Sequence, residues 1–237
     1  MGGRHEEAAQ QGDVEFFTAL PNEELVKVIE KTDEDGRTAL HLAVAGGHSQ
    51  LVELLVNSEV GKRVANNADD EGWTPLHSAS SIGNTRCVEL LLKAGGADAN
   101  KANSGGRTAL HYAASKGNVD VIQLLIESGA KVNAKDKTGS TALHRAASTG
   151  RLLAAKALLE QGKANLTVED KTGATALLVA VTCANDSVAV LLASKGADLE
   201  MADKEGNTPL STAPPALLKV MKAAAAGENC GDDEMEI

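Results

Sequence analysis

The sequence predicts an all-α repeat solenoid of about seven stacked units, each a helix–turn–helix followed by a hairpin-like loop. Three observations carry this. The string Thr-Ala/Pro-Leu-His-x-Ala begins at Thr38, Thr74, Thr108 and Thr141, and copies without the histidine begin at Thr175 and Thr208. Successive starts lie 36, 34, 33, 34 and 33 residues apart. Hydrophobic residues make up 43% of the 237-residue chain and aromatic ones only 2%. Such a core is built from Leu, Val, Ile and Ala, whose small side chains suit thin helices stacked closely.

Residues 103–135 illustrate one unit. Asn103 to Gly106 is a turn signal, with a glycine available for positive φ at the tip. Thr108 caps a helix whose inward face is Leu110, Ala113 and Ala114; Pro75 and Pro209 follow the equivalent threonines, at the favoured first helical position. Gly117 ends that helix. A second helix places Val121, Ile122, Leu124 and Leu125 at helical spacing, and Gly129 closes it. Neither helix pair buries its apolar face alone, so stability comes from stacking on neighbours.

By the same pattern the units fall near 33–68, 69–102, 103–135, 136–169 and 170–202, within a single repeat domain spanning 1–226. The ends are atypical, as capping units are. Residues 4–32 lack the motif but keep Ala8, Ala9, Gly12-Asp13, Val14, Phe16 and Phe17 in repeat-like rhythm. In the C-terminal cap, 203–226, Pro214-Pro215 cuts the first helix, and Ala216 to about Ala225 reads as a closing helix. Residues 227–237 read as an acidic disordered tail.

Composition excludes several functions. No apolar run reaches 18 residues, so no membrane span is expected. The start, Met1-Gly2-Gly3-Arg4-His5-Glu6, lacks the apolar stretch of a secretory signal and the Ser or Thr of a myristoylation motif. Cys87, Cys183 and Cys230 are odd in number and far apart, which argues for a reducing compartment and against disulfides or zinc. Cys87 and Cys183 are expected to be inert, partly buried thiols. The net charge is −10, with balances of −8 over 1–102, +4 over 103–169 and −6 over 170–237. Nucleic acid is therefore not an expected partner, because its binding rests on neutralising many phosphates. A protein with charged zones in matching order is.

No catalytic constellation is found. His41, His77, His111 and His144 recur at the repeat spacing, about 8–10 Å apart, whereas one zinc ion needs nitrogens ~2 Å away. These histidines are expected to be structural, each imidazole bridging backbone groups of neighbouring hairpins. His5 and His48 read as isolated. Gly95-Gly96 and Gly105-Gly106 are turns, with no Gly-Lys-Ser/Thr after them. Asp33, Asp35, Asp69 and Asp70 cluster at the tips, exposed and without a partner base. No enzyme activity, metal or cofactor is expected.

The expected work is binding, on a concave side lined by tips and first helices. Anchors there should be large side chains where the motif imposes none. The sole Trp, Trp73, occupies a tip, and the sole Tyr, Tyr112, is the variable position of TALHYA on a first helix. Arg37 and Arg107 share the Trp73 position, and Arg145 shares that of Tyr112. Trp, Tyr and Arg are the residue types enriched in interface hot spots. Asp35 and Asp70 stand at the early tips, and Lys116 near the end of a middle first helix.

The period and the TPLH-type motif resemble ankyrin repeats. The runs GRTALHLAVAGGH, DDEGWTPLHSASSIG, RTALHYAASKGN and STALHRAASTGR, in this order and register, resemble the gankyrin family, seven-repeat non-ATPase subunits of the 26S proteasome. The likeness spans about residues 8–226, including both caps and the ending ALLKVMK; GWTPLH and LHYAASK are its more specific pieces.

This resemblance implies an assembly chaperone, cytoplasmic and nuclear and a monomer when free. It would grip the C-terminal domain of a proteasomal AAA ATPase subunit through the concave face. Asp35, Arg37, Asp70, Trp73 and Lys116 fall at matching positions. The chain departs from the animal members in lacking their Leu-x-Cys-x-Glu motif: Val179 to Cys183 and Thr85 to Glu89 do not supply it, so the cell-cycle role does not carry over. The alternative is another ankyrin-repeat scaffold, of signalling or kinase-inhibitor type, which shares the fold and differs at the surface.

Overall fold

The computed structural model of the chain describes residues 3–227. The expected acidic tail beyond Gly227, including Cys230, lies outside the described residues, as do Met1 and Gly2. The described residues form sixteen helices and no strand, only the isolated bridges Thr32↔Thr38 and Glu169↔Thr175. They cluster into two compact units, 3–113 with Asp120–Lys131, and Ala114–Val119 with 132–227.

In the first unit the cap comprises α1 (Arg4–Gln11), α2 (Val14–Thr18) and α3 (Asn22–Glu30). Helices α4 (Ala39–Ala45), α5 (Ser49–Val56) and α6 (Glu59–Val64) follow, then α7 (Pro75–Ile82) and α8 (Thr85–Lys93). Helix α9 (Ala109–Lys116) begins in this unit, and α10 (Val119–Glu127) lies almost wholly within it. First helices α1, α4 and α7 pack side by side, with α2, α5 and α8 behind them. Ala8, Ala9, Phe17, Leu40, Leu51, Leu76 and Leu91 are buried between the layers. The sequence reading did not anticipate α6. This six-residue helix lies within the 36-residue step and is capped by Ser58, whose Oγ accepts the Gly61 amide at 2.9 Å.

In the second unit α11 (Ala142–Ser148), α13 (Ala176–Thr182) and α15 (Pro209–Thr212) form one layer. Helices α12 (Leu152–Glu160), α14 (Asp186–Ser194) and α16 (Pro215–Ala225) form the other. The two prolines stop α15 after four residues and start α16, which packs Leu217 and Met221 inward.

Six tips share one construction. Asp33, Asp69, Asn103, Asp136, Asp170 and Asp203 each open a turn, and the side-chain Oδ1 accepts the amides two and four residues later. Asx side chains favour such turns because they replace a backbone acceptor locally. Three residues after each comes a glycine with φ between +74° and +86°. At Gly72 a Cβ would stand 2.6 Å from the Ser104 amide of the next tip, so both conformation and space demand glycine. Asp33 and Asp69 are therefore turn-holding groups rather than partnerless exposed acids. Asp33 also takes Nε of Arg37 at 2.9 Å.

Neighbouring tips are joined through their backbones. The Asp70 amide donates to the Asp35 carbonyl at 3.0 Å and that of Ser104 to Glu71 at 3.1 Å. In the second unit Lys171 donates to Thr138, and Lys204 to Thr172, both at 2.9 Å.

Candidate functional site: the tip and first-helix face

The threonine and histidine of the repeated string form one local device. The backbone N–H of Thr38, Thr74, Thr108 and Thr141 donates to Nδ1 of His41, His77, His111 and His144 at 3.1–3.2 Å. An Nδ1 that accepts leaves the proton on Nε2. That Nε2–H donates one repeat onward, from His41 to the Trp73 carbonyl at 3.1 Å, from His77 to Arg107 at 2.9 Å and from His144 to Ala174 at 3.1 Å. All four rings are buried. Burial lowers the pKa of His41, His77 and His144, and their carbonyl partners offset it only in part. At His41, His77 and His144 these bonds bridge neighbouring tips.

Where the histidine is lost, its parts are replaced unevenly. Ser211 Oγ accepts the Thr208 amide at 3.0 Å, standing in for Nδ1. Leu178 is buried and apolar, and Thr175 caps α13 by accepting the Leu178 amide at 3.4 Å.

A second inter-repeat ladder runs at the other end of the helices. Nε2 of His48 bonds the Gln10 carbonyl at 2.7 Å and Asn84 Nδ2 that of Gly47 at 3.3 Å. In the second unit Arg151 Nε reaches Ser115 and Asn185 Nδ2 reaches Ala147. His48 is thus not isolated; its partner lies 38 residues away, where spacing arguments built on the main motif do not look. His5 approaches Glu6 at 3.7 Å.

The expected anchors separate into groups. Trp73 and Tyr112, both half-buried, meet with ring centroids 4.4 Å apart and planes at 44°, and each ring lies 6.0 Å from that of His77. The Trp73 amide is held by Asp69 Oδ1 at 2.7 Å, and the Tyr112 hydroxyl accepts from Asn103 Nδ2 at 2.8 Å. The pair is a pinned aromatic platform. Asn103 was legible as a turn residue but not as the clamp on Tyr112.

Asp35 and Asp70 are exposed on consecutive, backbone-linked tips, Asp70 on the tip that carries Trp73. Asp35 pairs with Arg37 Nη2 at 2.9 Å, so Arg37 is committed to Asp33 and Asp35. Burial raises the Asp33 carboxyl, but hydrogen bonds from Arg37 and Asp35 outweigh it and hold the pKa below the usual range. The Arg107 amide and carbonyl serve the turn and His77. Lys116 is exposed at the end of α9, in the other unit.

Arg145 is placed otherwise. Its guanidinium is bound to Asp136, whose side chain is 0% exposed, and reaches Thr138 Oγ1 at 3.2 Å. Burial raises the Asp136 carboxyl, yet hydrogen bonds from Thr138 and Arg145 outweigh it and leave its pKa far below the usual range. Arg145 therefore braces its own tip.

The cysteines differ from each other. Cys87 is fully buried, which pushes its thiol up to about 11. Cys183 is exposed at the end of α13, contrary to the expected burial, because the helix terminates there and turns at Ala184, φ +54°. Among the described residues no three His, Cys, Asp or Glu side chains are grouped to hold a metal. No helix among them is long and apolar enough to cross a membrane.

Fold and face define a protein-interaction scaffold built from repeats. The family described as ankyrin repeats (3 copies) matches residues 6–103, 60–136, 83–170 and 128–203, and the chain belongs to it. It is similar to the crystal structure of the ankyrin repeat domain of Bcl-3, "a unique member of the IkappaB protein family". That likeness has a TM-score of 0.80 and 27% sequence identity, and covers 93% of this chain and 98% of that one. No curated protein sequence matches the chain.

Proposed function

We propose that this ankyrin-repeat protein is a non-catalytic assembly chaperone of the proteasome regulatory particle, cytoplasmic and nuclear. It grips the C-terminal domain of a proteasomal AAA ATPase subunit with its tip and first-helix face. The observation that carries the reading is the pinned Trp73–Tyr112 pair beside the exposed carboxylates of Asp35 and Asp70. A rigid aromatic centre with a charged rim is the composition of an interface hot spot. The resemblance of GWTPLH and LHYAASK to the gankyrin family supports a proteasomal ATPase as that partner.

A second reading, a signalling scaffold of another ankyrin class, is favoured by the likeness to the Bcl-3 domain over nearly its whole length. Affinity purification of the tagged chain from cells separates the two. The chaperone reading expects proteasomal ATPases to co-purify and to be lost with Trp73→Ala. ATPases absent, with a kinase or other regulator retained, would favour the second.

A further inference from the structure

The second unit carries a row of cations that the proposed grip does not use. Lys137, Lys171 and Lys204 occupy the same place on three successive tips, one residue after the opening Asp, and all are exposed. Their backbones are fixed by the tip-to-tip bonds from Lys171 to Thr138 and from Lys204 to Thr172. Lys204 Nζ rests on the Lys171 carbonyl at 2.8 Å, while Lys137 and Lys171 make no ion pair among the described residues.

The neighbouring acids point elsewhere. Asp136 is buried against Arg145, Asp170 Oδ1 takes the Thr172 hydroxyl and the amides of Thr172 and Ala174, and Asp203 takes Glu205 and Asn207. Glu205, beside Lys204, and Glu169, at the base of the Lys171 tip, are the exposed acids nearby. In the first unit the corresponding positions are Glu34, Asp70 and Ser104, so the turn itself does not require lysine there.

We propose that this lysine row docks an acidic α-helix of a partner protein whose carboxylates recur every seventh residue. Tips on stacked helices are spaced by the helix-packing distance, about 8–10 Å. Seven residues of an α-helix rise ~10.5 Å and complete almost two turns, which keeps all three carboxylates on one side. An extended strand covers ~10 Å in three residues, but the side chain three residues on points to the opposite face, so the middle carboxylate would be turned away. Three cations on a chain of net charge −10 are too few for a nucleic-acid site. The inference needs only the second unit's tips and stands apart from the ATPase reading.

The test is fluorescence anisotropy of the full chain with two labelled helical peptides of equal composition, at about 50 mM salt. One carries Glu at positions seven apart, the other five apart. The expected result is several-fold tighter binding of the first. Joint substitution Lys137→Gln, Lys171→Gln and Lys204→Gln should weaken it about tenfold with unchanged circular dichroism. Lys156→Gln, Lys219→Gln and Lys222→Gln together should leave it within twofold. Equal affinity for both peptides, equal losses in the two triple variants, or tighter binding of a single-stranded oligonucleotide would overturn the proposal. So would peptide binding that requires deletion of residues 228–237. The row's occupant would then be the chain's own five-acid segment.

Discussion

The carbonyl of Trp73 accepts Nε2–H of His41 at 3.1 Å, so the residue that presents the half-exposed indole also fastens one repeat to the next. If Trp73 binds as proposed, binding and stability share a residue, and a test on this face separates the two. The ring and the backbone are separable, because only the backbone meets His41.

Trp73→Leu and Tyr112→Leu should each destabilise modestly, and together by less than the sum. Tilted aromatic pairs at this distance couple by about 0.5–1.5 kcal/mol. A double-mutant cycle from urea denaturation measures the coupling, and a value near zero would show two independent rings in solution.

His77→Ala removes the acceptor of the Thr74 amide and the donor to the Arg107 carbonyl, leaving buried groups unmatched. The loss should be roughly 1–3 kcal/mol. Affinity of the folded variant for a partner of this face should stay within threefold. A large affinity loss with unchanged melting would make His77 a contact residue instead.

Acid should weaken the fold in a window set by the histidines. His41, His77 and His144 have folded pKa values below the ordinary 6.5 because burial disfavours the cation. Above pH 6.5 both folded and unfolded states are neutral and stability is at its full value. As pH falls through 6.5 the unfolded chain takes protons first, so stability drops until the folded pKa is passed. Tm should therefore decline from pH 7.5 to 5.5, before the carboxylates titrate, and less steeply in His77→Asn. A flat Tm over that range would contradict neutral buried rings.

Arg145 should behave as a brace. Asp136→Asn and Arg145→Ala should each cost roughly 2–4 kcal/mol, since breaking a buried pair strands one charge. Surface plasmon resonance on the folded Arg145→Ala variant should give a dissociation rate within twofold of wild type. A tenfold faster rate would return Arg145 to the interface.

On the tips proposed to face the partner, Asp35→Lys with Asp70→Lys should slow association, because exposed charges act mainly on encounter. Trp73→Ala should instead speed dissociation, costing about 2 kcal/mol or more. Glu127→Lys, in the last turn of α10, supplies the same sign of charge change away from the tips. Equal weakening by this control would remove binding from the tip face.

The repeat period, the capping threonines, the bridging histidines, the proline break before α16 and the tip glycines were legible in the sequence. Each rests on interactions within four residues or on an exact recurrence of one motif. Helix α6, the role of His48, the clamp of Asn103 on Tyr112 and the capture of Arg145 by Asp136 were not. The partners of the three side chains lie nine to thirty-eight residues away, and α6 falls where the repeated motif is silent. The sequence by itself therefore determined the fold and which residue types stand on the tips. Only tertiary packing decided which of those side chains are committed internally and which remain free to meet a partner. An ion pair or ring contact depends on distances that stacking sets and residue order does not.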